Sequence, residues 1–219
     1  MEKPFARILV WEDAVPRSPA EQMACDEALL QTAREPVLRA YRWAAPAMTF
    51  GYSQRIAEVE DLAAGRAIMR RWTGGGMVFH GSDLTLALAI PSKEPFAQMT
   101  ASKIYESLHR ALLPAVQSLL PAARMATLEE CRCGAVCFES PVAFDIVEGP
   151  RKILGGAMRR SRSGILYQGS LHLPDLDPFL LASSLADELQ EFSEIPAVDC
   201  AAKILQRERY STASWRNLR

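Results

Sequence analysis

Residues 70–80, RRWTGGGMVFH, place three consecutive glycines, Gly74, Gly75 and Gly76, between an arginine pair and an apolar segment that ends in His80. Glycine reaches positive φ without steric penalty, yet costs about 0.5–1 kcal/mol inside regular structure. Three in a row therefore mark a backbone that must pass very close to another group, and Arg70 and Arg71 put cations beside that approach. The pattern suits an anionic or flat ligand, with Arg71 and Thr73 flanking the glycines as its contacts. The alternative is a glycine-rich hairpin turn with two solvated arginines. Strand alternation would turn Arg70, at least, toward solvent.

The 219-residue chain suits one large domain, or one domain with a small appendage. Its formal net charge of −1 supplies no overall basic field for nucleic acid. A local basic cluster does exist: Arg151, Lys152, Arg159, Arg160 and Arg162 fall within one short segment. The N-terminal residues lack the charged, apolar and small-residue regions of a secretory signal. No apolar run approaches the ~18 residues of a membrane span, since LTLALAI at 84–90 has strand length. Five cysteines, an odd number, argue against a disulfide framework and for a reducing cytoplasm.

Along the chain, residues 6–12 read as an apolar strand. Ser18 and Glu21 have capping-box spacing and open a helix that the pattern carries to about Arg34, with an incomplete apolar face at Met23, Ala24, Ala28 and Leu30. Residues 37–43 and 48–54 read as strands, 57–65 as a short helix, and 67–72, 76–80 and 83–91 as successive strands around the glycine turn. Ile104, Leu108, Leu112 and Val116 recur every four residues, which predicts an amphipathic helix over 101–120 that Pro114 kinks or divides. Strands are expected near 142–147, 152–158 and 164–173. From Pro178 onward the pattern is helical. Strands and helices that do not alternate strictly indicate an α+β fold with a mixed or antiparallel sheet flanked by helices.

Four further blocks stand beside the glycine turn: MACDEALL at 23–30, YRWAAPAMTFGYSQ at 41–54, VCFESPVAFDIVEG at 136–149 and RKILGGAMRRSRSGILYQGSLHL at 151–173. In order and character these blocks resemble the lipoate–protein ligase and octanoyltransferase family. The resemblance spans roughly residues 5 to 190. It implies the two-sheet architecture shared by biotin and lipoate ligases, here a single catalytic domain over 1–219, because residues 190–219 are too few for the C-terminal accessory domain that many ligases carry. The implied activity is transfer of an octanoyl or lipoyl group to a lysine of a lipoyl-carrier domain, in the cytoplasm, with neither nucleic acid nor membrane as partner.

The resemblance also assigns residues. Lys152, in PRKILGGA, matches the lysine held against the acyl carbonyl, where a fixed cation is typically worth ~2.7–4 kcal/mol as charge accumulates on oxygen. On residue statistics alone it would be a solvated lysine at a strand edge. Gly155, Gly156 and Ala157 leave room for the acyl group, or mark a β-bulge. Met158 stands where the family has glutamine. Cys137, in a Cys-Phe setting, matches the acyl-bearing nucleophile of one transferase branch; the alternative is an inert buried thiol. Asp145 is the acidic residue of the same block, although no asparagine precedes it. His80 matches a pocket-lining histidine, although residue statistics alone favour a satisfied, partly buried one, and Tyr167, Gln168, Gly169 and Ser170 match a pocket-closing segment. Asp26 and Glu27 match an acidic pair on the first helix, with a solvated helix face as the alternative. Arg71, Thr73 and Gly74–Gly76 complete the implied substrate contacts. His109 and His172 receive no role.

Two routes are open. In one, Cys137 takes the acyl group from an acyl carrier protein thioester. In the other, ATP with Mg²⁺ activates the free acid as an acyl-adenylate. No covalently bound cofactor is implied. Cys131, Cys133 and Cys137 make a poor metal site, having three thiolates and no spaced fourth ligand. Dinucleotide, Walker-type and nucleophile-elbow motifs are absent. The competing readings are a non-catalytic member that binds an acyl ligand, motivated by Met158, and a biotin–protein ligase.

Overall fold

The computed structural model describes residues 3–131 and 141–218. From the N-terminus, β1 (Phe5–Asp13) leads into α1 (Pro19–Thr32), then β2 (Val37–Tyr41) and β3 (Ala47–Phe50). Two short 3₁₀ turns, Ile56–Glu58 and Glu60–Ala63, replace the expected single helix and precede β4 (Ala67–Arg70), β5 (Val78–His80) and β6 (Leu84–Pro91). Then come α2 (Ala101–Gln117), β7 (Arg124–Met125), β8 (Ile146–Glu148), β9 (Arg151–Arg160) and β10 (Gly164–Leu171). The chain closes with α3 (Pro178–Leu185), β11 (Ala186–Glu191), α4 (Ile195–Leu205), a π-helical turn (Gln206–Tyr210) and α5 (Ala213–Arg216).

Eight strands form one mixed sheet in the order β11-β1-β2-β6-β10-β9-β8-β7, and β4-β3-β5 form a second. β1 pairs in parallel with β11 and β2, whereas β6, β10, β9 and β8 are antiparallel neighbours. Every residue of β6 and β10 is buried, because helices cover both faces of the large sheet. One core joins Leu84, Leu86, Leu88 and Ile90 of β6 to Ile104, Leu108 and Leu112 of α2 and Leu181 of α3. The other joins Ala87 and Ala89 to Met23, Leu29 and Leu30 of α1 and Val198 of α4. Adjacent residues of one strand thus supply two cores, the consequence of a period of two.

The Ser18 cap forms as the spacing predicts: its Oγ accepts from Glu21 N–H, and the Glu21 carboxylate accepts from Ser18 N–H at 2.7 Å. All nine residues Gln22–Leu30 are buried, since α1 is covered by the sheet on one side and by α4 on the other. This double cover explains its incomplete apolar face and overturns the solvated reading of Asp26 and Glu27. Pro114 does not divide α2. Two other expectations need correction. Residues 186–191 are a strand, not helix; its exposed, polar ADELQE sequence has no apolar periodicity, and edge pairing to β1 makes it extended. Residues 142–145 precede β8 as an irregular segment in which Phe144 takes φ 74°.

Candidate active site

β9 carries Lys152, whose side chain folds back along its own strand across Gly155. A Cβ at position 155 would lie 1.9 Å from Lys152 Cε and 2.5 Å from Nζ. This glycine is therefore space for the lysine, not a bulge. Lys152 is 6% exposed, so it is no solvated edge lysine. Its Nζ lies 2.8 Å from Asp145 Oδ2, and Asp145 is fully buried. The same oxygen accepts from Val142 N–H at 2.7 Å, while Oδ1 accepts from the Tyr105 hydroxyl. Burial, then the Asp145 charge, push the Tyr105 phenol well above its ordinary range and keep it a donor. Tyr105 in turn accepts from Gly156 N–H at 3.0 Å.

Behind these groups, Tyr167 occupies the room left by Gly156 and Gly169; a Cβ at either would lie within 2.5–2.6 Å of its ring or hydroxyl. His109 Nε2 and the Tyr167 hydroxyl are 2.9 Å apart. Burial takes the His109 imidazole down to about 3, so it is neutral at physiological pH.

Arg71 closes the glycine turn from within. Its guanidinium donates to Thr49 Oγ1 at 2.8 Å and to the carbonyls of Gly74 and Gly76 at 2.9 and 2.7 Å. Gly75 has φ +84°, and its carbonyl would lie 1.9 Å from a Cβ on Gly51, so the close approach joins Gly75 to Gly51. A Cβ on Gly74 would meet open space. Thr73 is fully buried and donates to Gln168 Oε1 at 2.7 Å.

Arg70 corrects the alternation argument. It is 1% exposed and gives all five of its N–H groups to backbone carbonyls: Tyr52 and Gln54, and Trp215, Arg216 and Leu218 near the C-terminus. The C-terminal residues folded over β4 cover the face that sequence alone leaves to water.

His80 is held at both nitrogens: Nε2 lies 2.8 Å from Thr49 Oγ1, and Nδ1 lies 2.8 Å from Asp83 Oδ2. Because Asp83 accepts only, Nδ1 carries a proton toward it. Burial alone would raise the Asp83 carboxyl, but His80, Ser170 and the Gly81 N–H outweigh it and hold the group at about 2. The H-x-x-D spacing of His80 and Asp83 was a usable signal for this pair. Trp43 stacks on the His80 ring at 4.2 Å.

These elements line a narrow, partly open cleft with about 30 Å³ of free interior volume. Of the expected site residues, Arg71, His80, Lys152, Gly155, Gly156, Ala157 and Gly169 line it. Thr73, Gly74–Gly76 and Asp145 do not line it: Gly74 and Gly76 brace Arg71 through their carbonyls, Thr73 is bonded to Gln168, and Asp145 pairs with Lys152. Gln168 and Ser170 of the pocket-closing segment line it too. So do Met23, Tyr41, Trp43, Thr49, Val78 and Thr85; all but Thr85 fall within the blocks and the glycine segment singled out above, although no side chain among them was named as a contact. Met158 packs into the core under α2 rather than into the cleft. Cys133 and Cys137 lie outside the described residues. Among the described residues, no group of three His, Cys, Asp or Glu side chains is placed to hold a metal ion. None of the described helices is long and apolar enough to cross a membrane.

An apolar cleft with two cations in its wall suits a ligand with an apolar body and a polar or anionic head. Residues 18–199 match the sequence model of the lipoyl protein ligase A/B catalytic domain. The chain belongs to this family. Within the lipoyl ligase A/B family, it is 35% identical over 181 residues to octanoyltransferase LipM of Geobacillus kaustophilus, covering 75% of this chain and 65% of that protein. It is 32% identical over 178 residues to LipM of Staphylococcus epidermidis, covering 74% and 64%. The chain thus spans about 65% of the length of such relatives. The fold is similar to the crystal structure of lipoate–protein ligase A bound with ATP, with TM-score 0.72, 20% identity and coverage of 97% and 98%. It is also similar to the bipartite lipoate protein ligase from Thermoplasma acidophilum, at TM-score 0.69, 18% identity and coverage of 100% and 98%.

Proposed function

We propose that this chain transfers an octanoyl or lipoyl group to the ε-amine of a lysine on a lipoyl-carrier domain. The observation that carries this reading is the shared cleft of Lys152 and Arg71, in which a buried ammonium and a guanidinium-braced glycine turn meet apolar walls. Family membership and the similarity to octanoyltransferases support it.

Lys152 has the charge needed to stabilise the oxyanion formed when the acyl carbonyl is attacked. Its stem crosses Gly155, so the ammonium stays close to the strand and leaves the cleft open for the chain. Met23, Tyr41, Trp43 and Val78 give the acyl tail its apolar surface.

The transferase route balances in two steps. The Cys137 thiolate attacks the thioester of an acyl carrier protein, forms acyl-Cys137 and releases the carrier thiol. The lysine amine of the lipoyl domain then attacks acyl-Cys137, forms the amide, loses a proton and returns the thiol. The route through ATP and Mg²⁺ is the other outcome of the test. Purified protein is incubated with an apo lipoyl domain and either octanoyl-carrier thioester or octanoate and lipoate with ATP and Mg²⁺. Acylation from the thioester alone, abolished in Cys137→Ala, is the expected result. Modification only with ATP overturns the Cys137 route, and no modification in either mixture overturns acyl transfer.

A further inference from the structure

The first helix, the glycine turn and the pocket-closing segment are far apart in sequence, yet one side chain joins all three. Gln168, on β10, lies between Asp26 on α1 and Thr73 at the entry of the turn. Its Nε2 is 2.6 Å from Asp26 Oδ2, and its Oε1 accepts from the Thr73 hydroxyl at 2.7 Å. Asp26 fixes which way the amide faces: its carboxylate, paired with Arg39, accepts, so the amide nitrogen faces Asp26 and the amide oxygen is left to accept from the Thr73 hydroxyl. Asp26 has no freedom of its own. Arg39 pairs with its Oδ1, and the Tyr41 hydroxyl donates to Oδ2 at 3.0 Å. Arg39 is anchored by Asp13 at 2.6 Å. Thr73 is pinned at its other end, its carbonyl accepting from Tyr52 N–H at 2.9 Å.

We propose that Gln168 is a positioning residue: held by Asp26, it fixes Thr73 and so sets the distance between the glycine turn with Arg71 and the strand that carries Lys152. The inference rests on the acyl-transfer reading, in which both cations act on one head group. Arg71 is braced by the carbonyls of Gly74 and Gly76, so a shift of the turn moves its guanidinium. Arg71 directly follows β4 of the small sheet, whereas Lys152 is on β9 of the large one. Gln168 spans that division beside the cleft it helps to line.

A carboxyl at position 168 makes a pH readout. Gln168→Glu keeps the shape but sets a second carboxyl against Asp26, so the bridge forms only while the pair holds a proton. The other groups facing Asp26 are Arg39 and Tyr41, with Cys25 and Tyr210 in electrostatic reach and Asp13 behind Arg39. None of them distinguishes Gln168→Glu from the parent.

The experiment compares the full chain with Gln168→Leu, Gln168→Glu and Asp26→Asn/Gln168→Glu, measuring acyl transfer from pH 5.5 to 8.5 and hydrogen exchange over residues 72–78. Expected for Gln168→Leu are a kcat lower by roughly 10- to 100-fold, a smaller change in KM for the acyl donor, and faster exchange of the turn. Gln168→Glu should lose activity as pH rises relative to the parent, and the double variant should lose that extra slope. Parental kcat in Gln168→Leu, or a parental pH profile in Gln168→Glu, overturns the role. If the unmodified protein transfers no acyl group, the functional reading fails. Exchange then still decides the inference: unchanged protection in Gln168→Leu and Gln168→Glu refutes it.

Discussion

Lys152 and Gly155 form one steric unit: the ammonium-bearing stem occupies the volume that a Cβ three residues along its own strand would need. The close contact is with the flexible end of a side chain, so Gly155→Ala should fold and displace Lys152. Displacement of a catalytic group by about 1 Å can cost on the order of 10²-fold in rate. We expect Gly155→Ala to lower acyl transfer by about that factor with a stability loss below about 1.5 kcal/mol, read from lipoyl-domain acylation and urea unfolding. Wild-type rates in this variant would separate Lys152 from the reaction.

Gly51→Ala meets backbone instead. Its Cβ would fall 1.9 Å from the Gly75 carbonyl oxygen, which cannot swing aside as a lysine can. Overpacking of this kind costs about 1–3 kcal/mol. The expected outcome is lower stability together with impaired transfer, measured in parallel with Gly155→Ala. A stable, fully active Gly51→Ala would show that Gly51 and Gly75 need not approach.

Arg70 should be a stability residue. Arg70→Met leaves five backbone carbonyls without their described donor, and one buried unsatisfied group typically costs about 1–3 kcal/mol. Lysine has three donors and no planar fork, so Arg70→Lys should restore only part of the loss. Urea unfolding of both variants decides it, and a loss below about 0.5 kcal/mol in Arg70→Met would show the C-terminal contacts to be dispensable.

His109 gives a pH prediction. Its folded-state value, depressed by burial from 6.5 to about 3, means that below pH 6.5 the unfolded chain takes up a proton that the folded chain refuses. Stability from this residue is therefore complete above about pH 6.5 and falls as pH drops toward 3, with a slope approaching about 1.4 kcal/mol per pH unit. His109→Gln, which retains an amide for Tyr167, should be less stable than the parent at pH 7 but lose less between pH 6.5 and 4. Parallel stability–pH curves for the two proteins would refute the buried neutral imidazole.

The strands and helices that position the cleft followed from patterns within single segments. Ser18 and Glu21 announced α1, the four-residue recurrence from Ile104 announced α2, and the apolar run at 84–90 announced β6. β11 escaped because an exposed edge strand needs no apolar alternation; its neighbour β1 makes it extended. Cys137 is singled out by resemblance alone, as it falls outside the described residues.

The glycine turn and the cations beside it were written in local sequence, because backbone freedom and side-chain charge are properties of single positions; the lysine of PRKILGGA was singled out by resemblance, since its local sequence alone reads as a solvated strand edge. Alternation separated Arg71 from Arg70, but it gave no sign of where Arg70 goes instead. Arg70 and Arg71 are adjacent and chemically identical, and the packing of residues 215–218 over β4 turns one into a structural clasp while Thr49 and the glycine carbonyls draw the other inward. Likewise the burial of Asp26 and its bond to Gln168 exist because α1 is sandwiched between the sheet and α4. Partners so distant along the chain meet only after folding, so no local pattern records them.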